Sequence, residues 1–309
     1  MVRRVSVKEG GESMKYFKTS QWLAENLEND KLQIIEATVL FNKDKPGTEE
    51  FLKSGYSDYL ESHIPGAIFV DQFQLSRDQT DIPFTPVDHQ QFLDTIAELG
   101  INPEKDIIIY DRGPMVNSEF KASYWASRLA WQLLYEGFKN VSVLEGGWEK
   151  WLSEKRPTSE EISQHTACEP SSIQRCPHYI ADRQEVLEAT KSDQVLLIDA
   201  LTFDQYVGDM APFGPDRAGH IPGAMNMGFD TVMDHSKLEL VDINIIREKL
   251  LELGLRRPDH RAIVYCGFGV AATWIWLLLL EMDYQNIAIY DGSLTDWALF
   301  SDLPLEVGP

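Results

Sequence analysis

Four short segments in the first half of this 309-residue chain return, in the same order, in its second half. LQIIEAT (32–38) is echoed by VLLIDAL (195–201), and HIPGAIFVD (63–71) by HIPGAMNMGFD (220–230). IIIYD (107–111) is matched by AIVYC (262–266), and VSVLEGGWEKW (141–151) by IAIYDGSLTDW (287–297). The offsets lie between 146 and 163 residues. Self-similarity on this scale constrains the fold before any single residue does, because whatever one copy forms, the chain forms twice. The length agrees, being more than one domain usually needs.

Within each copy the runs IIE, IIIYD and VSVLE are short, rich in Ile and Val, and do not alternate. Such runs suit strands covered on both faces, as in a parallel sheet between helices. Between them, FKASYWASRLAWQLLYEG (120–137) places Tyr124, Trp125, Leu129 and the 131–134 stretch at roughly helical spacing, with Gly137 to stop the helix. The alternation predicts an α/β fold, each copy a mostly parallel sheet covered by helices. We place a disordered tail at 1–15, a first domain at 16–157, a polar, proline-containing linker at 158–177 and a second domain at 178–309. In both HIPGA segments the Ile-Pro pair sets an extended approach and the glycine permits the turn into the next strand.

Charge narrows the partners. With 28 basic against 49 acidic residues the formal charge is −21, and no basic run longer than a pair offsets it, so nucleic acid and anionic membranes are excluded. The longest apolar segment, 271–280, is about half of the ~20 residues a membrane span needs. The N-terminus lacks the apolar core of a signal peptide. Cys168, Cys176 and Cys266 are too few for a disulfide framework. Together these predict a cytoplasmic protein.

Cys266 sits where a strand, AIVY, meets a helix across the turn CGFGVA. In α/β folds, ligands bind at the carboxyl ends of the strands. Gly267 and Gly269 free the backbone to curl, so that successive N–H groups form an anion nest reinforced by the helix N-terminus. A nest of this kind favours thiolate over thiol and predicts a Cys266 pKa below the ordinary ~8.5. A buried structural cysteine is the plainer reading of the same residue. At the matching place the first copy has Asp111, which cannot carry sulfur. That copy is therefore expected to be catalytically silent, with Asp111 a solvated or hydrogen-bonded loop carboxylate.

The tandem layout, the paired HIPGA turns, the WEKW and TDW closures and above all CGFGVAAT resemble the two-domain rhodanese family, over about 19–304. The loop is most similar to that of thiosulfate and 3-mercaptopyruvate sulfurtransferases, C-[RG]-[KS]-G-V-T. The resemblance implies two tandem rhodanese-like domains and a sulfurtransferase. Cys266 would take a sulfane sulfur from a small donor as a persulfide and pass it to a thiol or cyanide-type acceptor, or to a protein persulfide partner. Neither metal nor organic cofactor is implied. Gly267, Phe268, Gly269, Val270 and Ala271 would form the persulfide-binding loop.

The departures are equally specific. Phe268 stands where the family has serine or lysine. The D-A-R-x-x-x-R-[FY] segment reads Asp199-Ala200-Leu201-Thr202-Phe203-Asp204-Gln205-Tyr206, without either arginine. Three residues become candidate substrate contacts: His63 from the first HIPGA turn, Gln205 at a lost arginine position, and Arg217 as a substitute cation. Each also has a structural reading. The losses predict weak use of thiosulfate and mercaptopyruvate. The alternative is a non-enzymatic persulfide carrier or interaction module. Phosphatase chemistry on a related loop is disfavoured, because no arginine follows Cys266 through Leu280.

Overall fold

The computed structural model describes residues 14–46, 48–77, 82–163, 165–169, 172–211 and 217–309; most of the expected tail, 1–13, lies outside them. Five strands of the first half, β1 (Phe17–Lys18), β2 (Leu32–Glu36), β3 (Ile68–Phe69), β4 (Asp106–Tyr110) and β5 (Val141–Leu144), form one sheet in the order β1-β5-β4-β2-β3. Five of the second half, β6 (Ile180–Ala181), β7 (Val195–Asp199), β8 (Met225–Asn226), β9 (Arg261–Tyr265) and β10 (Ile287–Tyr290), form another in the order β6-β10-β9-β7-β8. The second order repeats the first strand for strand, and every pairing in both sheets is parallel. The fold is thus α/β, two parallel sheets flanked by helices.

The non-alternating runs are explained by burial on both faces. All four residues of β5 and of β10 are buried, as are 107–110 of β4. Two helices form the junction between the repeats. Helix α1 (Tyr124–Glu136) ends, as its sequence predicts, at Gly137 in the left-handed region at φ 108°, and all thirteen of its residues are buried. Helix α2 (Ala271–Glu281) starts directly after the Cys266 turn, and its first ten residues are buried. Both are buried all round because each lies on its own sheet and against the other across the repeat boundary. Ser127 and Thr273 share a hydroxyl–hydroxyl bond of 2.9 Å at that seam.

The HIPGA turns are built alike. His63 stacks on Tyr59 at 4.1 Å and His220 on Tyr206 at 3.8 Å. The amides of Ile64 and Ile221 donate to the hydroxyls of Tyr110 and Tyr265. Gly66 and Gly223 take positive φ. The described part of the 158–177 linker segment is bonded to the first repeat. Ser159 exchanges backbone bonds with His63, the Cys168 amide donates to the Ala97 carbonyl, and the Cys176 amide to that of Tyr135. Arg175 grips the buried Glu136 carboxylate through two bonds of 2.7 Å, and His89 shares that carboxylate.

Candidate active site

The Cys266 turn sorts its backbone by polarity. The N–H groups of Phe268, Gly269 and Ala272 are directed at the Cys266 sulfur. Four of its carbonyls have donors of their own. Cys266 O accepts from the Leu294 amide (3.0 Å), Gly267 O from the Thr295 amide and hydroxyl, Val270 O from the Thr273 hydroxyl, and Gly269 O from Arg128 (3.0 Å). Gly269 takes φ +75°, and a Cβ there would lie 2.4 Å from the Asp291 carbonyl oxygen, so only glycine fits. Gly267 was expected to share this freedom, but it is absent from the positive-φ residues; one glycine suffices for the curl.

The expected lowering of the thiol pKa does not occur. Cys266 is only 2% exposed, and burial pushes the thiol up. The amides of Ala272 and Phe268 oppose this, the charge of Asp199 adds to it, and the Gly269 amide opposes in turn. The amides favour the thiolate, but desolvation outweighs them.

Asp199, at the end of β7, is the second ionisable group here. Its Oδ1 accepts the Leu201 amide at 2.8 Å. The Tyr265 hydroxyl lies near the carboxylate, and Oδ2 has no well-formed hydrogen bond. Burial, opposed by those two groups, raises its carboxyl to about 7. The matching residue of the first repeat, Glu36, is treated differently. It is held by Arg112 (2.6 Å), the Tyr110 hydroxyl (2.6 Å) and the Thr38 hydroxyl (2.9 Å). In the second repeat Gly267 and Leu201 occupy the places of Arg112 and Thr38, so the cation and the hydroxyl are both missing.

Asp111 supplies the internal comparison. Its carboxylate is buried and folds back onto its own turn, accepting the amides of Gly113 (3.0 Å) and Ala126 (2.9 Å). Burial raises it to about 6 against those bonds. It is hydrogen-bonded, not solvated.

The other sequence candidates are placed as follows. Phe268 meets the first repeat's Phe41 and Phe84, with ring centres 5.9 and 6.2 Å away. Val270 and Ala271 are buried at the entry to α2. Both His63 ring nitrogens face carbonyls, of Tyr59 (2.7 Å) and Glu161 (3.0 Å). The Gln205 side chain closes a capping box with Thr202. The Arg217 guanidinium is taken up by the carbonyls of Trp297, Phe300 and Leu303. Cys168 and Cys176 are unbridged thiols on the 158–177 segment, and burial pushes that of Cys176 up. Among the described residues no cluster of His, Cys, Asp or Glu could hold a metal, and no helix is long and apolar enough to cross a membrane.

Sequence reasoning missed Arg128 and Asp199. An arginine inside the otherwise apolar SYWASRLAWQLL was a signal, since a buried arginine needs a partner.

The rhodanese-like domain model matches residues 19–154 and again 182–299. The chain belongs to the rhodanese family. Among its rhodanese relatives, the 3-mercaptopyruvate sulfurtransferase of Escherichia coli K12 is 30% identical over 298 residues, covering 95% of this chain and 99% of its own. A thiosulfate sulfurtransferase of Azotobacter vinelandii is 29% identical over 249 residues, 81% of this chain and 87% of its own. The crystal structure of SseA from Escherichia coli, a 3-mercaptopyruvate enzyme, superposes with a TM-score of 0.74 at 28% identity, covering 90% of this chain and 98% of that one.

Proposed function

We propose that this rhodanese is a sulfurtransferase in which Cys266 carries the sulfur. The Cys266 thiolate attacks the outer sulfur of the donor. The bond from that sulfur to the rest of the donor breaks, and its electron pair leaves with the departing fragment. The outer sulfur of the resulting persulfide bears the negative charge. An acceptor thiolate or cyanide then attacks it and Cys266 leaves as thiolate. The observation that carries this reading is the convergence of the Phe268, Gly269 and Ala272 amides on the Cys266 sulfur, in a turn whose counterpart holds the Asp111 carboxylate in the same way. Both turns offer amides to the group they hold, and only the second can hold charge on sulfur.

The donor reading follows from charge. Arg112, Arg128 and Arg217 are committed to Glu36, Asp291 and backbone carbonyls, and Phe268 faces aromatic rings. Such a site favours a donor of little charge, a low-molecular-weight or protein-borne persulfide, over the thiosulfate dianion. The small exposure of Cys266 favours a second reading, a persulfide carrier opened by its partner.

Intact mass spectrometry after incubation with thiosulfate, mercaptopyruvate and a low-molecular-weight persulfide tests this. We expect one added sulfur, chiefly from the persulfide, lost in Cys266→Ser and kept in the Cys168→Ser/Cys176→Ser double variant. Undiminished loading of Cys266→Ser would overturn the mechanism. Equal loading by thiosulfate would overturn the donor assignment.

A further inference from the structure

Arg128 belongs to the first repeat, yet two of its partners, Gly269 and Asp291, are in the second. Its side chain is 1% exposed. Nη1 donates to the Gly269 carbonyl at 3.0 Å and pairs with Asp291 Oδ1 at 2.5 Å, while Nη2 donates to the Phe84 carbonyl at 2.5 Å. The guanidinium also lies over the Trp131 ring, 4.5 Å from its centre. One side chain therefore ties the Cys266 turn, the end of β10 and the Phe84 segment to α1. Ser127, the preceding residue, adds its bond to Thr273 in the first turn of α2.

The tie runs one way. Ala126 and Ala272 give their amides to Asp111 and to Cys266 respectively, so they are equivalent positions. Two residues further on, the first repeat has Arg128 and the second has Trp274, whose ring meets Phe17 edge-on at 5.3 Å. By this correspondence the Asp111 turn receives no arginine, and the Cys266 turn does.

Resting on the reading of Cys266 as the sulfur carrier, we propose that Arg128 is a positioning residue, supplied by the silent repeat to hold the sulfur-binding turn in its working form. Gly269 is the residue of that turn with positive φ, and a left-handed glycine is free to leave that conformation unless its peptide groups are held. With its carbonyl fixed outward by Arg128, the amides of Phe268 and Gly269 stay aimed at the sulfur. Asp291 cancels the guanidinium charge, so the effect is geometric. Lysine is not an equivalent, because a single ammonium cannot serve the Gly269, Phe84 and Asp291 oxygens at once in the fork geometry.

The test uses the full-length chain with Arg128→Lys, and Arg128→Gln if the lysine variant does not fold, folding being checked by circular dichroism. Two rates are read: sulfur loading from a low-molecular-weight persulfide and alkylation of Cys266 by iodoacetamide. Loading at saturating donor should fall at least about tenfold, with the half-saturating donor concentration little changed. Alkylation should instead accelerate, as the freed turn uncovers the thiol. Guanidinium ion at sub-denaturing concentration should move both rates of Arg128→Ala back towards the wild type. Ser127→Ala, which removes the bonds to Thr273 and to the Tyr124 carbonyl but leaves Arg128 in place, should change neither. A folded variant with both rates within about twofold of wild type overturns the proposal. If the wild type takes up no sulfur, the Cys266 reading fails on its own, and alkylation still decides whether Arg128 holds the turn.

Discussion

A buried carboxylate without a cation is costly, and Asp199 is one. Its ordinary pKa of 3.8 is raised to about 7 by burial, so between those values the folded chain binds a proton that the unfolded chain has lost. The stability tied to that proton is fully present below about pH 4 and is lost as pH rises through about 7. The difference of about three pKa units sets a ceiling of ~4 kcal/mol. Asp199→Asn cannot ionise and should escape this loss. Denaturant midpoints of variant and wild type, compared at pH 4.5 and pH 8, should diverge in favour of the variant at the higher pH; parallel midpoints would show that Asp199 is relieved by a partner. At this scale the sequence was legible where chemistry is local. Cys266 followed by a glycine-rich turn announced an anion nest. Its net pKa was not legible, because burial at Cys266 depends on packing from distant segments. Arg128 and Asp291 are 163 residues apart and meet only through the fold.

Among the elements, strand runs and both central helices could be placed from their patterns, and Gly137 ended α1 as expected. The pattern could not show that α1 and α2 bury themselves against one another, since an apolar run says that a face is covered and not by what. The turn between β9 and α2 rests on Gly269. Gly269→Ala combines a left-handed backbone with a Cβ 2.4 Å from the Asp291 carbonyl oxygen, a cost of ~2 kcal/mol or more. We expect a lower unfolding midpoint and slower sulfur loading in this variant, whereas Gly267→Ala, at a position without positive φ, should be milder. Equal effects of the two substitutions would mean that the curl is not set at Gly269.

For the molecule as a whole, the repeated sheet order is the feature the internal repeat foretold. The seam between the halves is what it left open. That seam includes Ser127 with Thr273, Lys150 with Glu239 at 2.6 Å, and the amides of Lys15 and Tyr16 on the Glu281 carboxylate. The 158–177 segment reads as a linker because it is polar, and among its described residues Ser159, Cys168 and Cys176 are hydrogen-bonded through their backbone to the first repeat, a use of backbone groups that composition does not reveal. Residues 178–309 made alone would expose the α2 face that α1 covers, a contiguous apolar patch of the kind that drives association. Sedimentation and dye binding should find that fragment aggregated or loosely packed. A monomeric fragment with a sharp cooperative unfolding transition would show that the second half needs no partner.

The α1–α2 seam also has a direction in time. A ribosome finishes α1 at Glu136 and reaches Ala271 only 135 residues later, roughly ten seconds at ordinary rates of elongation. Through that interval the nascent first half carries an arginine with no counter-ion and a helix face with nothing to cover it. The last 39 residues of the chain emerge onto a surface already waiting for them.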